Sequence, residues 1–409
     1  MHNIDVRPVA EDGIDAWAEV VWHAFGTSPG PRQREQELAT LEPERAIAAY
    51  VAGDLAGSAA IFTFTMTVPG GPRPVAGVTS VGVLPTYRRR GVLSALMRSQ
   101  LHGLHAEGRE PVAALWASEP AIYGRFGYGA ASRRLKLTVP RGQDALVGAP
   151  VGDALRLRLV DTAASGEVVR DCYESVARQR PGMFLRNDVW ERSAVADLDS
   201  LRQGASALRT VVAEDADGVR GYVRYATVER WTDEVADGTV RLRELEAVDP
   251  AAYAALWRYV LDLDLMARVV STNRPEDDTV LELLRDLRAA KPTLRDALFC
   301  RLVDVDRGLA TRTYAGPVDV VLEVRDELCP WNARRWRLCG DSSGAVCSPT
   351  SDAADISLGV LELGSVYLGG NSLRRLAAAG RVEERRPGAV GQASTAFRSD
   401  PAPWCQVVF

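Results

Sequence analysis

The stretch Thr79–Leu104 (TSVGVLPTYRRRGVLSALMRSQLHGL) constrains the fold of this 409-residue chain more than any other. Val78, Val81, Val83 and Leu84 make a short β-prone run, and Pro85 closes it because proline donates nothing to a ladder. Three arginines, Arg88, Arg89 and Arg90, then lead to Gly91. Beyond them Val92, Leu93, Leu96, Met97, Leu101 and Leu104 recur at the spacing of one helical face, and Gly108 marks its stop. The unit reads as strand, basic glycine turn and amphipathic helix. A helix N-terminus offers unpaired N–H groups and partial positive charge. Gly91 lets a bulky anion approach that backbone, and the arginines add forked donors. This chemistry suits a phosphate or pyrophosphate.

The rest of the chain narrows the class. Apolar residues make up 46% and charged residues 25%, which fits a globular protein with several cores. The net charge of −5 argues against a nucleic-acid binder despite the local arginine run. No apolar run reaches a membrane span and the N-terminus MHNIDVRPVAEDG lacks a signal-peptide core, so a cytoplasmic protein is expected, with a secreted fraction left open. The six cysteines form no C-x-x-C pair, and free thiols are the expectation. His102 and His105 are three apart on the helix, a spacing open to a metal, but no carboxylate or cysteine nearby completes a ligand set. No metal is expected, and the two read as exposed helix residues.

Residues 1–139 read as one α/β unit. A helix over Ala16–Phe25 and a strand near Tyr50–Val51 precede an aromatic strand, Ala59–Val68, and the hairpin tip Pro69-Gly70-Gly71-Pro72. After the long helix, Val112–Trp116 is a buried parallel-type strand, Glu119–Phe126 a short helix, and Gly127–Val139 a returning strand. Residues 140–296 repeat this unit in degraded form. A constant shift of 164 aligns Gly57 with Gly221, Val81 with Leu245 and Val83 with Ala247. It also sets Ala252, Ala254 and Ala255 where the first copy has Arg88, Arg90 and Gly91. The helix survives as Leu256, Trp257, Val260, Leu261 and Leu263; the anion-binding residues do not. Residues 297–409 alternate short strands, beginning with Ala297–Val303, and turns, and end on WCQVVF, an apolar terminus that implies a docked tail.

Three motifs carry a family resemblance. The turn resembles the acetyl-CoA loop of the GNAT N-acetyltransferases, R/Q-x-x-G-x-G/A. Arg88, Gly91 and Leu93 stand at its fixed positions, and Leu93 departs from the small final residue. The string A-S-E-x-x-I-Y-G-R-F-G-Y-G at residues 117–129 resembles the enhanced-intracellular-survival (Eis) family of that superfamily. SLGVLELGSVYLGG at residues 357–370 is similar to the sterol-carrier-like domain that closes such chains. The resemblance spans the chain. It implies a mixed α/β (α+β) architecture of an active GNAT fold (1–139), a degenerate one (140–296) and a sterol-carrier-like α+β domain (297–409).

The same resemblance implies an acetyl-CoA-dependent N-acetyltransferase acting on a small-molecule or peptide amine, with aminoglycosides foremost. Lysine side chains or polyamines are the alternative, as is a lipid carrier or CoA-sensing assembly with vestigial activity. It also implies a homo-hexamer. Backbone at Val81, Gly82 and Val83 would guide the pantetheine arm, and Arg88, Arg89, Arg90, Gly91 and Val92 the pyrophosphate. Tyr123 would be the general acid, since a phenol near pKa ~10 can protonate a thiolate whose conjugate acid lies near ~8.5. The base would be the terminal carboxylate of Phe409. A free α-carboxyl near ~3.5 must be raised by desolvation for that role. Glu119, Trp116, Phe25 and Trp22 are the candidate acceptor-site residues, core packing being an equal reading for the aromatic residues of the first helix.

Overall fold

The apolar runs of the first third become β1 (Ile4–Pro8), α1 (Ile14–Phe25), α2 (Pro31–Ala39), β2 (Ile47–Val51), β3 (Asp54–Val68), β4 (Gly71–Val83), α3 (Val92–Glu107), β5 (Val112–Trp116), α4 (Pro120–Tyr123) and β6 (Gly129–Ala130). The computed structural model describes residues 4–142, 145–152 and 154–409; the first three residues of the N-terminal segment lie outside them. The middle of the chain adds β7 (Arg133–Pro140), β8 (Arg156–Val160), α5 (Ser165–Gln179), β9 (Phe184–Leu185), α6 (Asp188–Val195), β10 (Arg209–Asp215) and β11 (Gly218–Val228). A small pair follows, β12 (Trp231–Thr232) and β13 (Val235–Ala236), then β14 (Gly238–Ala247), α7 (Pro250–Leu261), β15 (Met266–Pro275), α8 (Val280–Leu283) and β16 (Thr293–Asp296). The last part holds β17 (Leu298–Leu302), α9 (Val305–Ala310), β18 (Val318–Arg325), β19 (Arg335–Asp341), β20 (Gly344–Pro349) and β21 (Ile356–Gly359). It ends with α10 (Val360–Val366), α11 (Leu373–Ala378), β22 (Val382–Glu384) and α12 (Ala389–Ala396).

The chain forms two compact units. One comprises residues up to Ser132, Ala297–Pro403 and Val407–Phe409; the other comprises Arg133–Asp296 and Trp404–Gln406. The first contains a sheet in the order β1-β2-β3-β4-β5-β17-β6 and a five-stranded sheet, β20-β19-β18-β21-β22. The second is built on β16-β7-β15-β14-β11-β10-β8.

Two strands differ from the sequence reading. Gly127–Val139 is not one strand: β6 stays in the first sheet, while β7 pairs with β15 and β16 in the second unit. Conversely β17, expected to open the last domain, lies between β5 and β6 of the first sheet. All five of its residues are buried, which is why the run Leu298-Phe299-Cys300-Arg301-Leu302 is suited to a central position. Its one charge, Arg301, is met by Asp326 with both carboxylate oxygens within 3.0 Å. The shift of 164 carries β7 onto residues 297–304, where β17 is found, so each repeat's closing strand belongs to the other repeat's sheet.

The repeat itself is visible in the registers. Gly57 pairs with Val83 on β3 and β4, and Gly221 with Ala247 on β11 and β14, each pair related by 164. Each glycine also sits under the following helix: a Cβ at Gly57 would lie 2.9 Å from Val92, and one at Gly221 would lie 2.9 Å from Leu256. The helix α3 keeps its predicted face. Met97, Leu101 and Leu104 pack on Ile61, Val78 and Leu115, and Val92 and Leu96 on Ala56 and Ala59. Each such large side chain stabilises by roughly 1.5–3 kcal/mol on burial.

Candidate active site

The site begins where two neighbouring strands part. β4 and β5 run parallel but pair only at Ala76–Ala113 and Gly77–Ala114. Beyond those pairs β4 continues along β3 and β5 along β17, so the two diverge and the backbone of Val78–Val83 faces a fork. A bulge bends β4 there. Ser58 pairs with Gly82 but Ala60 with Thr79, and Ser80 takes a left-handed φ of 52°, its carbonyl accepting from Ser58 Oγ at 3.0 Å. The backbone of Val81, Gly82 and Val83 is thereby aimed along the fork, an arrangement able to bond an extended amide-bearing arm.

At the end of β4 the chain turns through Pro85–Tyr87 into the arginines. Arg89 and Gly91 have φ of 61° and 89°, and Gly91 stands at the N-cap of the 16-residue α3 without a side-chain cap. Only glycine takes that conformation without strain, and it leaves the first turn's N–H groups open to an anion. Arg88, Arg89 and Arg90 are exposed and make no ion pair among the described residues; Arg90 rests over the Tyr87 ring at 5.3 Å. Uncapped helix N-terminus, left-handed turn and three free cations together fit a CoA pyrophosphate.

The second repeat has lost more than its arginines. Its helix α7 starts at Pro250, so Ala252, Ala254 and Ala255 lie inside a helix and no turn remains. Asp249 accepts the N–H of Ala252 at 2.8 Å, so a protein carboxylate already occupies the position a pyrophosphate would need. The Asp249-Pro250 pair is a sequence signature of a helix start that reading by repeat alone passes over.

Tyr123 ends α4 just beyond β5. It is partly buried against the cluster of Phe126, Tyr128 and Leu115, and burial first, then Glu119, pushes its pKa above that of an ordinary phenol. It stays protonated at neutral pH, as a proton donor must. Glu119 itself is exposed at the start of α4. Tyr128, 6.1 Å from Tyr123 between ring centroids, is fully buried with no partner for its hydroxyl among the described residues, and burial raises its pKa further still. That is the signature of a packing residue.

The chain's end joins this region. Trp116, the last residue of β5, donates its indole N–H to the carbonyl of Val407 at 2.9 Å. Phe409 sets its ring edge-on to Phe64 at 4.9 Å and Phe62 at 6.3 Å, over Gly77 at the base of the fork. Trp116 is thus a tail contact, which the acceptor-wall reading did not foresee. Trp22 is no pocket wall: it is buried in a core cluster with Trp17 and Ala48, its N–H donated to Glu37 at 2.7 Å and Arg34 stacked on its ring. Helical spacing shows that Trp22 lies on a buried face but not what covers it. Phe25, at the end of α1, is exposed. His105 is not a plain surface histidine either; it bonds Asp304 and stacks on Trp331 at 3.9 Å. Among the described residues no group of His, Cys, Asp or Glu is arranged to hold a metal, and no helix is long and apolar enough to cross a membrane.

Comparison with known proteins bears on the family and the fold. Residues 5–131 and 182–302 each match a model of an acetyltransferase (GNAT) domain, and 305–406 a sterol carrier protein domain. Fold and fork therefore define a GNAT acetyltransferase with tandem GNAT folds and a sterol-carrier-like domain, and GNAT domains use acetyl-CoA. The chain is 46% identical over 402 residues to an uncharacterized N-acetyltransferase of Streptomyces avermitilis, covering 98% of both. It is 37% identical over 357 residues to the N-acetyltransferase Eis of Mycobacterium tuberculosis, covering 85% of this chain and 84% of that one. The crystal structure of Eis1 from Mycobacterium abscessus matches with a TM-score of 0.84 at 36% identity over the whole of both chains. The chain belongs to the Eis family of GNAT N-acetyltransferases.

Proposed function

We propose that this enzyme acetylates primary amines of a polycationic acceptor such as an aminoglycoside, with Tyr123 as general acid and the Phe409 carboxylate as general base. Acetyl-CoA supplies the acyl group as an activated thioester. The arginine turn, Arg88 to Gly91, and the first N–H groups of α3, from Val92, would hold its pyrophosphate, and backbone N–H groups of Val81–Val83 would stabilise charge developing on the acyl oxygen. The Phe409 carboxylate draws the cationic acceptor in and takes a proton from the attacking nitrogen. As the C–N bond forms and the C–S bond breaks, the Tyr123 phenol gives its proton to the departing sulfur. The Trp116–Val407 bond and the rings of Phe62 and Phe64 keep the tail in register and restrict water at the base.

The observation that carries this reading is the docked tail. A surface-lying terminus would leave Val407 and Phe409 in water, whereas Val407 is 8% exposed and Phe409 packs on two aromatic rings. The polycationic acceptor is supported by a net charge of −5 and by the exposed Glu119 beside Tyr123. Thiol release from acetyl-CoA, measured against an amine-free blank with aminoglycosides, polyamines and lysine peptides, tests it. Aminoglycosides should be the fastest acceptors, each gaining acetyl groups by mass spectrometry. Faster transfer to lysine peptides, or no transfer to any amine, would count against it.

A further inference from the structure

The place of the terminal carboxylate depends on the chain that leads to it, and that chain is held at Trp404–Gln406, directly before the last three residues. Residues Trp404–Gln406 group with the second unit and Val407–Phe409 with the first. Trp404 is 1% exposed and packs among Cys172, Tyr173, Met183 and Tyr222. Its backbone N–H donates to Pro181 at 2.8 Å, and a Cβ at Gly182 would come within 2.8 Å of its carbonyl oxygen, so only glycine lets the tail lie this close.

One side chain organises the rest. Asn273 accepts the indole N–H of Trp404 at 3.0 Å and donates its amide to the carbonyls of Cys405 at 3.1 Å and Gln406 at 3.3 Å. Three consecutive tail residues are thus read by one amide. Asn273 can do this because β15 is bulged there: the pairing with β7 passes from Ser271–Leu137 to Arg274–Leu135, so Thr272 and Asn273 leave the regular register. A bulge is a means of re-aiming a side chain. The Gln406 side chain is fixed separately, donating to Glu244 at 2.7 Å and accepting from Arg186, both charged side chains being 2% exposed.

We propose that Asn273 is a positioning residue for acetyl transfer: by clamping Trp404–Gln406 it fixes the point from which the last three residues run to the Phe409 carboxylate. This rests on the terminal carboxylate being the base. An amide suits the task, since among side chains of that size it alone joins an acceptor for the indole to two N–H donors for two carbonyls.

The test uses the full chain with a native C-terminus in three forms: Asn273→Ala, Asn273→Asp and deletion of Phe409. Asn273→Asp keeps the size and the acceptor for Trp404 but cannot donate to the two carbonyls, so it serves if the alanine variant fails to fold. Both Asn273 variants should lower kcat by about tenfold or more, as loss of alignment does. The acetyl-CoA KM should stay unchanged, and so should the binding stoichiometry of one per chain, which loss of folded enzyme would lower. Carboxypeptidase should also release Phe409 faster from both than from the parent. If deletion of Phe409 abolishes transfer while the Asn273 variants keep their kcat or their protection of Phe409, the clamp is refuted and the base stands. If deletion of Phe409 leaves transfer intact, the base is wrong and the clamp falls with it.

Discussion

Replacing Gly77 by alanine puts a methyl group into the floor on which the tail rests. The added Cβ would lie 2.4 Å from Phe64 Cδ2, 2.5 Å from its Cε2 and 3.3 Å from Phe409 Cε2. Carbon atoms in folded proteins do not approach below 3.0 Å, so the Phe64 ring must retreat by about 0.6 Å or the strand must shift. Either movement disturbs the edge-on contact that Phe64 makes with Phe409 at 4.9 Å. Overpacking of this kind costs about 1–3 kcal/mol. The same movement misplaces the carboxylate by a fraction of an ångström to an ångström, enough for a loss of about 10- to 100-fold in kcat. Urea unfolding would report the first effect, and steady-state thiol release with a saturating amine the second. A variant that is destabilised yet turns over like the parent would show that the Phe64–Phe409 contact does not align the base, and unchanged stability would refute the packing itself.

Other consequences follow from named groups. Tyr123→Phe keeps the ring and removes the proton donor, so kcat should fall by about 10²–10⁴ with folding intact; Tyr128→Phe removes a buried hydroxyl without a partner and should leave kcat alone while holding or raising stability by up to about 1 kcal/mol. Equal losses would mean the acid is misassigned. Arg88→Ala should raise the acetyl-CoA KM and spare kcat, and titration should give one CoA per chain, because Asp249 caps α7 and Ala252–Ala255 are helical where the first repeat has its arginine turn. Two CoA per chain would contradict that. Glu246 is buried, with Glu244 and Asp278 near it and Arg274 no closer than 3.6 Å, and its pKa rises from 4.5 to about 7, burial being the main cause. Between those pH values the native protein keeps a proton the unfolded chain has released, so stability falls as pH rises through 4.5 to 7, by about 3 kcal/mol in all. Glu246→Gln should flatten that slope in urea midpoints measured from pH 5 to 8; parallel curves would refute it.

Much of this was legible in the sequence because it is local. The strand, arginine turn and helix over Thr79–Leu104 need only neighbours in the chain, and Gly91 and Gly108 bound α3 where their positions imply. The repeat was legible because Gly57 and Gly221 serve the same close approach to a helix. Long-range choices were hidden. Nothing in Arg133–Pro140 or Leu298–Leu302 states which sheet either strand joins, since the partners of both lie far along the chain. Trp22 was ambiguous for a related reason: an apolar helical face does not reveal what covers it. The role of Asn273 depends on a β-bulge set by pairing with β7, which no spacing in β15 displays.

The role of the terminal carboxylate is open to direct measurement. Steady-state acetyl transfer to an aminoglycoside should be compared among the native chain, the chain with a short C-terminal extension and the chain with the same residues added at the N-terminus. An extension moves the carboxylate away from Phe409 without altering any side chain. With the Phe409 carboxylate as base, the C-terminal form should lose about 10²-fold or more in kcat while still binding acetyl-CoA at one per chain, and the N-terminal addition should have no effect. A C-terminally extended enzyme as active as the native one would contradict it.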